Sequence, residues 1–383
     1  MSLSSEQYEK IFDYISRIGG KGSSVSSIYE QLRGINSLGT HPSMPPVREQ
    51  FGLTFFTRPR LNFTDGNLRA FRPFFSMIGG NDGISLPRAV RAMLDPVGVW
   101  RNGRGSPLTN HEQAFIPWLS NGLMSQSGWP EISPGTFSSV EGNHHESWSM
   151  IDDTIKNFRV WDLNTTLRNG SGNVIVMLLF AWVCYGSLIY EGDLVPLPDS
   201  IMQHRIDYHT RIYRFALDAN KKRITSWWST IAYPYVAPSA TGANMSIDNP
   251  FNTDGQQVGV NWKCHGCDTF DPIVFTEFNN IVAYFNPNMH PALRNTAMVQ
   301  LNEDTFHLFT YDTFFWIDPE EQILERWVSK EVYAARMNDR QVAWNTRVPK
   351  GSLMPIGYGG KLDSQSAQAI VQSLTPNTTG AVV

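Results

Sequence analysis

The sharpest metal-like pattern in the sequence is a pair of cysteines, Cys264 and Cys267, with His265 between them. Two thiolates at this spacing can occupy two corners of a zinc tetrahedron, and His290 could add a further ligand. A structural zinc site needs four ligands, and no second cysteine pair exists, because the third cysteine, Cys184, lies in an apolar run. We therefore predict a plain loop in a reducing compartment and no metal, with zinc ligation or a redox dithiol as alternatives.

Two short His–Glu pairs, at residues 111–112 and 144–146, invite comparison with zinc proteases. That motif requires a second histidine three residues after the glutamate, on the same face of a helix. Phe115 and Ser149 occupy those positions, so the pattern fails. The glycine-rich stretches 19–23 and 357–361 also lack the Ser or Thr that follows the lysine of a phosphate-binding loop.

Four carboxylates that lie close together in the sequence could form the acid pair of a glycosidase. Such an enzyme needs two carboxyl groups about 5 to 10 Å apart across a cleft. A solvated helix face produces the same spacing, so hydrolase chemistry is retained only as an alternative. The four acids are Glu141, Glu146, Asp152 and Asp153.

The composition is short of charge and rich in aromatic side chains. Charged residues make up 17 % of the chain, below the roughly 25 % that is usual for soluble proteins, and aromatic residues reach 12 %. A surface of this kind favours contact with other chains, so we expect other subunits to cover much of it. The net charge of −4 argues against a general nucleic-acid binder, which needs a basic surface.

The longest apolar stretch is residues 173–190, NVIVMLLFAWVCYGSLIY. It is slightly shorter than the ~20 residues that span a bilayer as a helix, and its flanks lack the Lys and Arg excess of a membrane anchor. A segment that is apolar on every side must be surrounded by protein or lipid. We predict a fully buried central helix or strand pair and no membrane span.

Residue periodicity predicts an α+β fold, with helices at both ends, mixed strands in the middle and C-terminal parts, and a buried central apolar segment. Predicted helices are 4–18, 24–32, 86–94, 111–124, 148–158 and 318–336, the last with Asp318 as its N-cap. Predicted strands are 53–56, 258–263, 273–275, 297–301 and 305–311, together with a hairpin of 211–217 and 223–230.

Composition shifts along the chain predict four regions. Residues 1–50 form a helical docking region with a proline-rich linker, and residues 51–200 form an Arg- and aromatic-rich domain that holds the apolar segment. Residues 201–350 form a β-rich region that ends in a helix. Residues 351–383 form an extended C-terminal tail of small polar residues.

Arginines alternate with phenylalanines in residues 51–75, and a Trp pair follows within the predicted hairpin. Arginine beside aromatic rings is typical of interface hot spots, where the guanidinium stacks and keeps its donors available. The alternatives are ordinary core with surface arginines, and a stacking platform for single-stranded nucleic acid. The predicted interface residues are Phe55, Phe56, Arg58, Arg60, Arg69, Arg72, Trp227 and Trp228.

Two segments, LTFFTRPRLN at residues 53–62 and RIYRFAL at residues 211–217, resemble virion structural proteins of large bacteriophages with contractile tails. The resemblance covers these short segments. It implies a place in the tail, baseplate or neck, and it carries over no catalytic residues.

The leading prediction is a non-enzymatic structural subunit of a phage tail assembly. Its expected partners are copies of itself and other virion proteins, with no cofactor, nucleic acid or membrane span. We expect it to fold in the host cytoplasm, because its cysteine content fits a reducing compartment and its first residues lack a secretory leader. The alternatives are a tail-associated cell-wall hydrolase and a glycan- or receptor-binding module that uses the aromatic residues of 227–236.

Overall fold

The computed structural model describes residues 51–78, 85–102, 105–154, 159–170, 172–218, 221–240, 257–302, 305, 308–309 and 312–345. The predicted helices 4–18 and 24–32 and the predicted tail 351–383 lie outside these residues. The chain divides into two compact units. The first runs to Asn286 and includes Ile317–Leu324, and the second holds the remaining residues from Pro287 onward.

The described residues combine antiparallel strands with helices, which confirms the α+β prediction. The strands are β1 Phe51–Phe56, β2 Leu123–Ser127, β3 Thr136–Ser138, β4 Ser149–Ile151, β5 Val160–Arg168, β6 Thr210–Leu217, β7 Ile224–Pro234, β8 Gln257–Thr269, β9 Met298–Gln300, β10 Phe314–Asp318 and β11 Ile323–Ser329. The helices are α1 Asp65–Ala70, α2 Leu86–Leu94, α3 Pro96–Asn102, α4 Pro117–Ser120, α5 Val174–Glu191, α6 Pro198–Met202, α7 Ile273–Phe285, α8 Pro291–Ala297 and α9 Lys330–Asn345, with 3₁₀ turns at Arg72–Met77 and Pro287–Met289.

A six-stranded sheet in the order β1-β6-β7-β8-β5-β2 is the frame of the first unit, and all its neighbouring strands are antiparallel. Its two edge strands approach each other, because the Thr54 hydroxyl on β1 donates a 2.9 Å hydrogen bond to the side-chain oxygen of Gln126 on β2. The backbone N–H of Ile116 also donates to the carbonyl of Phe56 at 2.8 Å. The sheet is therefore nearly closed.

Strand β5 shows how this end of the sheet buries one of its faces. Its residues alternate between exposed and buried, with Trp161, Leu163, Thr165 and Leu167 pointing inward. This period of two places every second side chain on the same face of the pleat. The sheet therefore offers an apolar surface along β5, which an apolar helix can cover.

The central apolar run is that helix, α5, and it ends at Gly192 in a left-handed conformation with φ 87°. Its inner face packs in the main core, where the Trp182 ring lies 5.7 Å from Trp262 of β8. The burial is one-sided rather than complete, since 44 % of the helix is buried and Tyr190 is 93 % exposed. By length and composition alone, α5 is long and apolar enough to cross a membrane. The core helix of a soluble protein can have the same length and composition.

Several predicted elements match the structure: α2 has the predicted bounds, and β1, β6, β7, β8 and β9 lie where strands were expected. The predicted strand at 273–275 is wrong, because these residues begin helix α7. The predicted helix at 111–124 is also wrong, since it contains only the short α4 and the start of β2. Residues 149–151 form a strand where helical spacing was predicted.

The helix predicted to begin at Asp318 instead begins at Lys330. The Asp318 carboxylate accepts a hydrogen bond from the Glu320 N–H at 3.0 Å, in the turn that leads from β10 to β11. Asp followed by Pro suits both a helix N-terminus and a tight turn. Residues 323–329 then form strand β11, of which 327–329 pair with β9, so the turn is the structure that forms.

Candidate functional site

The eight predicted interface residues divide into a buried and an accessible group. Phe55, Phe56 and Trp227 are at most 8 % exposed and lie in the chain's own interior. The Phe55 ring contacts Phe278 of α7 at 5.3 Å between centroids, and the Trp227 indole N–H donates to the Asp271 carbonyl at 2.9 Å. These three side chains are used within the chain, so the described fold leaves them almost no surface for a partner.

Arg58 is also buried, at 3 % exposure, and serves the interior of the fold. Its guanidinium donates to the carbonyls of Ala92, Met93, His111 and Gln113 at 2.5 to 3.1 Å. Burial lowers the pKa of Arg58 to about 9, so the group stays protonated at neutral pH. One buried cation thereby fixes α2 and the 111–113 loop beside β1.

The other four predicted residues remain accessible, and their role as contact anchors stays a prediction. Arg60 is half-buried, and its guanidinium lies over the Tyr284 ring at 4.1 Å. Arg69 and Arg72 are exposed. Trp228 is half-buried, with its ring 6.1 Å from Phe270.

Cys264 and Cys267 do not lie in a loop, as the sequence suggested, because both belong to strand β8. Both thiols are buried and free. Burial raises the pKa of Cys267, and it raises the pKa of Cys264 to about 12. Zinc binds the thiolate, which this environment disfavours. Within the described ranges, no group of three or more His, Cys, Asp or Glu side chains could hold a metal ion.

A cleft of about 700 Å³ lies beside Arg60 in the first unit. Among the described residues, its cationic lining comes from Arg60, Arg205 and Arg211, and its one carboxylate, Glu277, pairs with Arg211. Arg211 also contacts Asp268 of β8 at 3.2 Å. Apolar lining comes from Ile206, Ile231, Ile281 and the ring of Tyr284.

His209 lies at the cleft and stacks on Tyr233, with ring centroids 5.1 Å apart and planes 7° from parallel. The His209 ring also contacts the His265 ring, with the two centroids 5.7 Å apart. Burial, and secondly the electrostatic effect of the neighbouring His265, lower the pKa of His209 to about 4. His209 is therefore a neutral, stacked wall of the cleft at neutral pH.

Residues 131–153 form a protruding ribbon, called the arm below, which sequence reasoning missed. Its strands β3 and β4 pair antiparallel, with Phe137 opposite Met150, and every residue of both strands is exposed. A carboxylate–imidazole contact of 2.6 Å between Glu141 and His145 closes the tip. The signal was present in the alternating Phe137-Ser138 and Trp148-Ser149-Met150, but each strand has only three residues.

All four carboxylates of the hydrolase alternative lie on the arm and are exposed. Two of them serve the hairpin itself: Glu141 holds His145, and Glu146 accepts from the His144 N–H at 2.7 Å. A glycosidase holds its acids across a cleft that binds the sugar. The arm is an exposed two-stranded ribbon, so the structure does not favour this chemistry.

Comparison with known proteins gives one family match. Residues 2–343 match the model of the family described as "Putative phage tail tube protein". Among solved structures, a chain from a cryo-EM structure of the anti-feeding prophage cap, the tube-terminating cap, shares 11 % sequence identity. The match covers 41 % of this chain and 82 % of that chain with a TM-score of 0.24. No curated protein matches this sequence.

Proposed function

Since the chain belongs to the phage tail tube family and is a structural protein of the tail, we propose that it is a non-enzymatic subunit of the tube itself. Copies of the chain form the wall, and other virion proteins meet it where the tube joins the baseplate and the neck. The observation that carries the proposal is the extent of the family match, which takes in almost every described element.

The surface of the chain supports self-association. Large apolar side chains remain exposed at several places, including Val140 at 92 %, Tyr190 at 93 % and Met202 at 82 %. Groups of this size outside a core mark contact surfaces when they cluster. The nearly closed sheet gives such contacts a rigid base, because its five neighbouring strand pairs are antiparallel hydrogen-bonded ladders, two of them without a register shift.

The chemistry of the cysteines supports folding in the host cytoplasm before assembly. All three thiols are free, and two of them are buried inside the fold. Proteins that fold in reducing compartments retain free thiols of this kind. The same proposal includes no cofactor, no nucleic-acid partner and no membrane span, in keeping with a net charge of −4 and with a central helix that packs in the core.

Assembly of the purified full-length chain tests this function. We expect rings or tubes by negative-stain microscopy and a concentration-dependent rise in sedimentation coefficient. In purified particles, antibody labelling should mark the tail along its length. A monodisperse monomer at high concentration, or label confined to the capsid, contradicts the proposal.

The non-enzymatic part of the proposal has its own test. We expect no clearing band when the protein is run in a zymogram that contains host cell wall. A clearing band that disappears in a variant with Glu141 and Asp152 replaced by Gln and Asn would restore the hydrolase alternative.

A further inference from the structure

The apolar face of the arm needs cover that the described chain does not provide. Phe137, Trp148 and Met150 share one face of the ribbon, and they are 48 %, 58 % and 51 % exposed. The Phe137 and Trp148 rings contact each other edge to face, with centroids 5.9 Å apart. Because an isolated two-stranded hairpin is marginally stable in water, this face gains stability from packing against another surface.

The charge on the arm has a single sign. Residues 131–153 contain no Lys or Arg. Its carboxylates are Glu131, Glu141, Glu146, Asp152 and Asp153. A partner surface should therefore be apolar at its centre and basic around it, because complementary charge steers association and rejects wrong partners.

The cleft beside Arg60 has both properties. Three arginines of the described chain line it. Arg211 is paired with Glu277 and Asp268, which leaves Arg60 and Arg205 as the basic groups of the cleft. Its mouth carries two accessible apolar side chains, Ile206 at 49 % and Tyr284 at 44 % exposure. The volume of about 700 Å³ lies within the range of pockets that bury whole ligands, roughly 300–1,000 Å³, so it can take aromatic side chains.

We propose that the arm of one copy docks in the Arg60–Arg205 cleft of a second copy of this chain, with Phe137 and Trp148 as its apolar anchors. The inference rests on the proposed function, because it supplies the contact by which copies assemble. Arm and cleft are different surfaces of the first unit, so the contact is head-to-tail. A head-to-tail contact repeats from copy to copy and builds a ring or an open helical tube.

A matched pair of phenylalanine variants tests the arm. Phe137→Ser removes a proposed anchor that is 48 % exposed. The control, Phe75→Ser, removes a ring that is similarly exposed, at 51 %, and that lies outside both the arm and the cleft. We expect Phe137→Ser to raise the dissociation constant of assembly about tenfold or more, as hot-spot truncations do, and Phe75→Ser to leave it unchanged. Thermal unfolding of the unassembled chains should agree with wild type, which separates lost docking from lost folding.

Charge reversal tests the pairing of the two surfaces. Glu131 and Asp152 are exposed arm carboxylates outside the tip, and Arg205 is an exposed cleft cation. The reversed arm (E131K with D152K) and the reversed cleft (R205E) should each weaken self-assembly. An equimolar mixture of the two variants should recover association with the variants in alternation, because the reversed arm meets the reversed cleft and the unaltered arm of the other variant meets an unaltered cleft.

A direct cross-link identifies the second copy as the occupant. Val140→Cys places a thiol at the arm tip, and Ile206→Cys places one at the cleft mouth. A short bismaleimide should join the two variants when they are mixed, and joining should fall when the Val140→Cys chain also carries Phe137→Ser.

The outcomes separate the two proposals. If wild type does not assemble at all, the proposed function fails. If wild type assembles and Phe137→Ser assembles equally well, only the docking proposal is overturned. Loss of assembly in Phe137→Ser with neither charge recovery nor cross-link also overturns it, because the arm then docks on another surface or another tail protein.

Discussion

The core around α5 and the arm use the same side chains in opposite surroundings. In the core, Trp182 is 1 % exposed, its ring meets Trp262, and its indole N–H donates to the Tyr208 carbonyl at 2.8 Å. On the arm, Trp148 is 58 % exposed and touches one ring, that of Phe137. Trp182 is therefore used for folding, whereas Trp148 is accessible to a partner.

The difference predicts that this chain separates stability from association. In the core, aromatic side chains such as Trp182 pack on other rings of the same chain, and the buried guanidinium of Arg58 donates to four backbone carbonyls. The arm has only short ladders and a tip contact between exposed groups, which contributes little in water. Substitutions in the core should act on unfolding, and substitutions on the arm should act on assembly.

The largest expected effect comes from Trp182→Ala. Removing this ring leaves a cavity beside Trp262 and an unpaired Tyr208 carbonyl, so we expect the free energy of unfolding to fall by about 3–5 kcal/mol. Urea denaturation of the unassembled chain, followed by far-UV circular dichroism, measures the change. A loss below about 1 kcal/mol would mean that α5 does not organise the core.

Arg58→Met should follow, with a loss of about 2–4 kcal/mol. Methionine keeps the length of the side chain but leaves the four carbonyls that Arg58 engages without their charged donor. Arg72→Met is the matched control, because Arg72 belongs to the same Arg–Phe stretch and is exposed. We expect the control to change unfolding by at most about 0.5 kcal/mol. Equal effects of the two variants would contradict the division between buried and accessible arginines.

His209 gives a smaller effect that depends on pH. Its pKa is about 4 in the folded chain against an ordinary value of 6.5, so the unfolded chain binds more protons between these values. Stability from this group is therefore complete above about pH 6.5 and is lost as the pH falls towards 4. In His209→Gln the loss of stability over this interval should shrink, as urea midpoints at several pH values would show. An unchanged pH profile would mean that His209 is not held neutral by its stack.

The sequence was sufficient where local pattern and tertiary environment agree. Helix α2 and the alternating strands β6 and β7 were predicted from periodicity, and the apolar run was recognised as a core element. Prediction failed where one short pattern suits two structures: the Asp318-Pro319 pair forms a turn instead of a cap, and the apolar 273–275 segment begins a helix.

The predicted interface residues show the same limit of local sequence patterns. Arg–aromatic alternation in 51–75 drew attention to Arg58 and Arg60, yet the first is interior and the second lines the cleft. Sequence spacing cannot distinguish them, because burial is decided by residues such as Met93 and Tyr284, which are distant in the chain. The arm was missed because three-residue strands are too short for a period of two to stand out.

The smallest expected effect on folding is that of Trp148→Ala, the same substitution as in the core but made on the arm. The ring is more than half exposed and its loss opens no cavity, so we expect the free energy of unfolding of the unassembled chain to change by at most about 0.5 kcal/mol. Urea denaturation at a concentration below assembly measures this against Trp182→Ala. A loss of 2 kcal/mol or more, roughly the scale of a core truncation, would show that the arm belongs to the core of the chain. A near-zero change in unfolding together with weaker sedimentation of assemblies would place the two tryptophans in different roles, because only an exposed ring can leave folding unaltered and still be needed by a neighbouring copy.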